Sequence, residues 1–286
     1  MLIGLIRLAR PQDWIKNVFV LAPLPFAMAV GRQFEAVPFL LGLFGFCLIN
    51  SAIYTLNDWC DAASDRMHPK KCERPLANGT VSSHAAVLQM FLLALIGMAM
   101  VVGSGKPHTA AIAMLYVVFN VAYNLGAKHV ALLDVFLLSS GFVIRVLLGC
   151  SLVSAPPSVW LLLCTTSLAL FLGFAKRRAD LKQGVDHRHR PSLRGYSMAF
   201  LDQAITICAG TAILSYALYG IEAKVLLPGR EMASMPFVAY AILNYLRIAD
   251  VENGGGSPVE VAYHSRSTQV CVLGWIVAVT WSLGLW

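Results

Sequence analysis

Apolar stretches of near-spanning length recur along almost the whole chain, separated by short polar links. They cover about residues 17–31, 38–56, 85–103, 109–125, 130–152, 158–175, 202–221, 233–248 and 268–285. A helix needs roughly 20 apolar residues to cross the hydrocarbon core of a bilayer. The pattern therefore predicts an all-α integral membrane protein with nine transmembrane helices, residues 1–286 forming a single transmembrane domain. The first and eighth stretches are short, and the first carries Pro23 and Pro25, which interrupt helical hydrogen bonding.

The basic residues orient these helices. With the N-terminus in the cytoplasm, 17 of the 22 Lys and Arg residues fall on the cytoplasmic side. Only Arg32, Lys106, Lys224 and Arg230 fall opposite, and Arg145 lies within a span. So strong a bias follows the positive-inside rule, and an odd helix count places the C-terminus outside. The expected location is the cytoplasmic (inner) membrane, crossed many times. The loops after the second, fourth, sixth and eighth stretches hold nearly all the charge, whereas the link at 152–157 holds none. Chemistry on phosphates is thus expected at the cytoplasmic mouth of the bundle.

Composition agrees. With 58% hydrophobic and 13% charged residues, the chain has too little polar surface to coat a soluble globule. The net charge of +7 suits anionic headgroups or phosphates, and nothing resembles a nucleic-acid module. The seven cysteines are scattered and odd in number, without the spacing of a disulfide framework or a zinc site. Basic residues before an apolar run ending near Ala27-Met28-Ala29 could form a signal peptide, a reading the many later spans outweigh.

The densest chemistry lies in Asn57-Asp58-Trp59-Cys60-Asp61-Ala62-Ala63-Ser64-Asp65-Arg66. If the run from Leu40 continues as helix, Asp58, Asp61 and Asp65 at i, i+3 and i+7 share one stripe, bordered by Asn57. Carboxylates this close repel unless a cation holds them together. Hard oxygen ligands suit Mg²⁺, which commonly takes one or two carboxylates plus waters and substrate phosphates. The alternative is a solvated helix end paired with Arg66, Lys70, Lys71 and Arg74.

Lys70 and Arg74 follow this stripe directly, as a diphosphate beside a metal–carboxylate site would require. Before the first span, Arg10-Pro11-Gln12-Asp13-Trp14-Ile15-Lys16-Asn17 reads either as an interfacial anchor or as a source of a phosphate contact from Lys16. Tyr123 and Lys128 close the fourth stretch. Asp134 and Arg145 lie inside the fifth, eleven residues apart and so on one face. An ionisable side chain within a span usually faces a cavity or a partner, and a cavity role is expected for Arg145. Lys176 and Arg177 emerge from the sixth stretch within reach of a substrate phosphate. His187 and His189 make a poor metal pair, and Asn253-Gly254-Gly255-Gly256-Ser257-Pro258 reads as a flexible turn.

Taken together these motifs resemble the UbiA superfamily of membrane prenyltransferases, whose Asn-Asp-x-x-Asp-x-x-x-Asp motif is matched by Asn57, Asp58, Asp61 and Asp65. The resemblance implies nine helices around a central lipid-accessible cavity, with Mg²⁺ and a diphosphate on the motif. Aromatic prenyltransferases of the superfamily also carry a second acidic motif. This chain instead has Tyr123-Asn124-Leu125-Gly126-Ala127-Lys128-His129, with no carboxylate before Asp134. In that departure it is similar to the decaprenyl-phosphate phosphoribosyltransferase branch. Further similarities are Arg10-Pro11-x-x-Trp14-x-Lys16-Asn17, Asp65-Arg66-x-His68-Pro69-x-Lys71-x-x-Arg74-Pro75, Ser139-Ser140-x-x-x-Ile144-Arg145, Ala175-Lys176-Arg177 and the run from Arg247 to Val251.

That branch implies a Mg²⁺-dependent transfer of a 5-phosphoribosyl group from 5-phosphoribosyl 1-diphosphate (PRPP) to a polyprenyl phosphate, releasing diphosphate. By the resemblance, Asp58, Asp61 and Asp65 hold the metal, and Asp58, Asp61 and Lys128 are catalytic, Lys128 supplying the counter-charge of a missing second metal. Lys16, Asn57, Arg66, Lys70, Arg74, Tyr123, Arg145, Lys176 and Arg177 bind the two substrates. A homotrimer is also implied. Two alternatives stand beside this one: a prenyltransferase moving an isoprenoid chain onto an aromatic or other acceptor, and a transporter, for which no inverted repeat or paired broken helices are found.

Overall fold

The apolar stretches are helical almost throughout, and no strand occurs among the described residues, which are 1–67, 71–184, 190–223, 225–251 and 264–285 of a computed structural model. In chain order the helices are α1 (Leu2–Ala9), α2 (Val18–Leu21), α3 (Leu24–Ala29), α4 (Ala36–Asp65), α5 (Ser83–Gly103), α6 (Thr109–Asn124), α7 (Leu133–Leu152), α8 (Val159–Lys182), α9 (Met198–Glu222), α10 (Met235–Val251) and α11 (Arg266–Ser282). Four of them open on a serine. Ser82, Ser158, Ser197 and Ser265 each accept a hydrogen bond at 3.2–3.4 Å from the backbone N–H three residues on. Such a cap satisfies one of the donors that the first helical turn leaves unpaired.

Among the described residues five helices, α4, α5, α7, α8 and α9, are long and apolar enough to cross a membrane. The helices α6, α10 and α11 are shorter, at 16 or 17 residues. The expected first span is not one helix but two short ones, α2 and α3. Ala22 closes α2 by donating to the Phe19 carbonyl at 3.3 Å, and Pro23 and Pro25 have no N–H with which to continue the ladder. An additional helix, α1, precedes the expected spans. It carries exposed Leu2, Ile3 and Ile6 on one face and fully buried Leu8 on the other.

The chain divides into two compact units. The first comprises Met1–Leu24, Gln33–Ala127 and Ile144–Pro156, and is built on α4, the 30-residue helix that does continue through the acidic motif. Within it α4 lies directly on α5: a Cβ added to Gly45 would stand 2.6 Å from the Gly97 carbonyl oxygen, and one on Gly97 2.6 Å from that of Gly45. Glycine at both positions lets the two backbones touch, the usual device for tight packing where lipid removes the hydrophobic drive between helices. Leu8 of α1 packs with Leu76, Val81 and Ala86, which seats the N-terminus on the loop after α4.

The second unit comprises Pro25–Arg32, Lys128–Val143 and Pro157–Trp286. Its core is aromatic and aliphatic, with Phe171, Phe174, Leu193, Leu201, Ile205 and Tyr245 buried together. Phe171 and Tyr245 meet edge to face at 5.4 Å, a favoured arrangement of ring quadrupoles.

Candidate functional site

In the first unit the last turns of α4 bring two carboxylates to one point. Asp58 and Asp65 are 2% and 3% exposed, and a single nitrogen of Arg74, Nη1, donates to Asp58 Oδ1 at 3.0 Å and to Asp65 Oδ2 at 2.7 Å. Two further cations approach. Arg10 Nη2 donates to the same Asp58 Oδ1 at 2.6 Å, and Lys71 Nζ lies 3.9 Å from Asp65 Oδ1. Asp61, on the same stripe, is half-buried, as is Asn57.

Arg10 reaches Asp58 because of its backbone. It sits between α1 and the 3-10 turn Pro11–Asn17 with φ 49° and ψ 56°, the left-handed region that a non-glycine residue adopts at a cost. The resulting bend aims its guanidinium at α4, where it also lies 5.5 Å from the centre of the Tyr54 ring. Lys16 meets the same ring: its Nζ donates to Asp13 Oδ1 at 2.7 Å and to the Tyr54 hydroxyl at 3.2 Å. Burial acts to lower the Lys16 pKa, but the combined pull of Tyr54 and Asp13 outweighs it and holds the ammonium above its ordinary 10.5.

Deeper in the same unit, Arg145 is 4% exposed. Its Nε donates to Asn17 Oδ1 at 2.9 Å, and its Nη2 donates to Asn50 Oδ1 at 2.5 Å and approaches the Tyr116 hydroxyl at 3.4 Å. The Tyr116 hydroxyl itself donates to Asn50 Oδ1 at 3.0 Å. The guanidinium lies 5.2 Å from the Tyr116 ring centre and 5.8 Å from that of Phe46, so two π faces contribute to holding the buried charge.

The second unit holds a separate polar cluster. Asp134, fully buried, accepts from Arg177 Nε at 2.6 Å, Ser192 Oγ at 2.8 Å and the Tyr196 hydroxyl at 2.7 Å. Tyr196 in turn accepts from the Leu132 N–H at 2.7 Å. Burial, and then the Asp134 carboxylate, push the Tyr196 phenol well above its ordinary pKa of 10.0. Arg177 is 1% exposed; its Nη1 lies 3.5 Å from Asp180 Oδ2, and among the described residues neither Nη1 nor Nη2 has a hydrogen-bond acceptor.

The sequence-predicted residues are thus distributed as follows. Asp58, Asp65 and Arg74 converge, and Lys16 and Arg145 belong to the same unit, as do half-buried Asn57, Asp61 and Tyr123 and exposed Arg66. Lys128 (half-buried), Lys176 (exposed) and Arg177 belong to the second unit, where Arg177 is engaged by Asp134. Lys70 lies outside the described residues, as do His187, His189 and the glycine run at 253–258. Pattern reading did not single out Tyr54, Asn50 or Tyr116, or Arg10 as a partner of Asp58. Asn50 and Ser51 carried the one available signal, two polar side chains in the middle of an apolar run.

The donor set fits a magnesium ion. Two hard carboxylates converge on one cationic nitrogen within 3.0 Å, so a single point is in reach of both, and Mg²⁺ is ordinarily held by one or two carboxylates with phosphates and waters completing its shell. Among the described residues no group of three His, Cys, Asp or Glu side chains is gathered for a metal.

Comparison with known proteins gives a consistent family. The model of the UbiA prenyltransferase family matches residues 17–255. A protein of Corynebacterium glutamicum named decaprenyl-phosphate phosphoribosyltransferase is 34% identical over 287 aligned positions, covering 96% of this chain and 85% of its own. One of the same name from Mycolicibacterium smegmatis is 33% identical, covering 96% and 90%. Among solved structures, a UbiA homologue from Archaeoglobus fulgidus bound to GPP and Mg²⁺ has the same fold, with a TM-score of 0.72 at 17% identity, covering 97% of this chain and 99% of that one.

Proposed function

Because the chain belongs to the UbiA prenyltransferase family, we propose that it is a membrane-embedded transferase that moves the 5-phosphoribosyl group of PRPP to a polyprenyl phosphate and releases diphosphate. The observation that carries this reading is the 32–34% identity, over 96% of the chain, to relatives named decaprenyl-phosphate phosphoribosyltransferase. The family match spans residues of both units, which supports treating residues 1–286 as one catalytic domain. The proposed setting is the cytoplasmic membrane with the site facing the cytoplasm, as the distribution of basic residues favours.

The chemistry is a displacement at the anomeric carbon of the ribose. An oxygen of the lipid phosphate forms the new C–O bond as the diphosphate departs with the electron pair of the old one. The acceptor is already ionised, so it requires placement rather than deprotonation. Mg²⁺ on Asp58 and Asp65, with Asp61 as the third ligand proposed from the motif, would supply charge for the departing diphosphate. Arg10, Lys71 and Arg74 stand around those carboxylates, from where they would give hydrogen bonds and positive charge to phosphate oxygens. Lys16, held protonated by Asp13 and Tyr54, offers a further fixed cation in this unit. Phosphate contacts from Arg66, Lys70, Lys128 and Lys176, and a counter-charge role for Lys128, are part of the same proposal.

The test is incubation of purified protein in lipid with Mg²⁺, PRPP and a polyprenyl phosphate, following diphosphate release and the phosphoribosylated lipid. Formation of that lipid is expected. No product with PRPP, together with turnover of a prenyl diphosphate and an aromatic acceptor, would overturn the reading.

A further inference from the structure

The acidic motif is surrounded by resident cations, and this governs how it accepts a metal. Arg10 and Arg74 both donate to Asp58 Oδ1, at 2.6 and 3.0 Å. Arg74 also holds Asp65 Oδ2 at 2.7 Å, and Lys71 lies 3.9 Å from Asp65 Oδ1. Arg10, Lys71 and Arg74 supply three positive charges against two from Asp58 and Asp65. Counting Asp61 brings the sum to zero, so no excess negative charge remains to draw a bare dication. The carboxylates are also 2% and 3% exposed, so the interactions that hold them are little screened by solvent.

Arg74 Nη1 bridges the two carboxylates from the position where a cation would contact both. Mg²⁺ entering alone would have to expel the guanidinium from two charge-assisted hydrogen bonds without offering it another acceptor. A diphosphate changes this balance. Its oxygens accept the displaced guanidinium groups while its charge offsets the metal's. The side chains of Arg10 and Arg74 are 21% and 25% exposed, so each keeps a solvent-facing edge from which to exchange partners.

We infer that metal and diphosphate bind this site as a coupled pair, with Arg74 and Arg10 acting as internal counter-ions that suppress Mg²⁺ binding until a diphosphate arrives to take them. Arg10, which sequence motifs alone did not connect to the acids, thereby becomes a diphosphate-binding residue. The inference rests on the proposed Mg²⁺–diphosphate role of the motif, but not on the identity of the group the diphosphate carries.

The experiment is calorimetric titration of the full-length protein in lipid nanodiscs with MgCl₂ alone, with inorganic diphosphate alone, and with each in the presence of the other. Saturating diphosphate should tighten Mg²⁺ binding by about tenfold or more, and Mg²⁺ should tighten diphosphate binding by the same factor, since coupling is reciprocal. Arg74→Gln should strengthen binding of Mg²⁺ alone, weaken diphosphate binding and reduce the coupling. Arg10→Gln should do the same to a smaller extent, since Arg10 holds one of the two carboxylates, and it carries the test if the Arg74 variant does not fold. Equal Mg²⁺ affinity with and without diphosphate in the wild type, or variants whose affinity for Mg²⁺ alone is unchanged or lower, would overturn the inference. Coupling without PRPP turnover would sink the proposed donor and leave the inference standing. Turnover without coupling would sink the inference alone.

Discussion

Replacing Asp134 by asparagine isolates the most completely buried charge pair in the second unit. The change keeps the side chain's shape and an oxygen that Ser192 or Tyr196 can still donate to, but removes the charge facing Arg177. That guanidinium is 1% exposed and has its Nε on Asp134 at 2.6 Å, and among the described residues the carboxylate left to it is the more distant Asp180 at 3.5 Å. Removing one partner of a buried pair leaves an uncompensated charge and typically costs about 3–5 kcal/mol. At about 2–4 °C per kcal/mol for chains of this general size, the midpoint should fall by roughly 6–20 °C. Thermal unfolding in detergent, followed by tryptophan fluorescence, measures this. Asp134→Asn with Arg177→Met should recover part of the loss, because the stranded charge is gone. Ser192 lies within the turn Pro191–Gly195 and Tyr196 closes it, so the single variant should also be cut faster by trypsin at exposed Arg194. A single variant within about 1 kcal/mol of wild type, or a double variant less stable than the single, would refute the assignment of Arg177 as a charge held by Asp134.

Three further outcomes follow from the first unit and from glycine environments. Asp58→Asn and Asp61→Asn should each lower turnover by about 10²-fold or more while leaving the fold intact, as expected when charge stabilisation of a leaving group is lost; near-normal rates in both would remove the metal assignment. Gly45→Ala, whose new Cβ meets the Gly97 carbonyl at 2.6 Å, should destabilise by roughly 1–3 kcal/mol, whereas Gly210→Ala in α9, with nothing within 4 Å, should stabilise by roughly 0.5–1 kcal/mol. Equal effects in denaturant titrations would show that the α4–α5 contact is not tight. Because the Lys16 pKa is raised on folding, its stabilisation is fully present below about 10.5 and is lost as pH rises through the folded value; the stability gap between wild type and Lys16→Met should therefore close at strongly alkaline pH, and a gap that widens there would contradict the Asp13–Lys16–Tyr54 cluster.

Much of the architecture was legible in residue order because a bilayer imposes a simple rule: backbone polar groups must be satisfied within a helix, so long apolar runs become helices. The continuation of α4 through Asp65 and the common stripe of Asp58 and Asp65 follow from helical spacing alone. Pro23 and Pro25 marked the first stretch as interrupted, and the structure splits it there into α2 and α3. The helix α1 escaped, because it is too short for its amphipathic pattern to stand out.

What the sequence by itself determined was where the long apolar helices lie and the identity of the acidic motif, both properties of neighbours along the chain. Which cation meets which acid was decided only by tertiary structure. Arg10 lies 48 positions from Asp58, and Arg145 lies 128 from Asn17 and 95 from Asn50. Such pairs arise where packing brings separate helices together and burial forces each charge to find a partner, and no spacing in the sequence encodes that meeting.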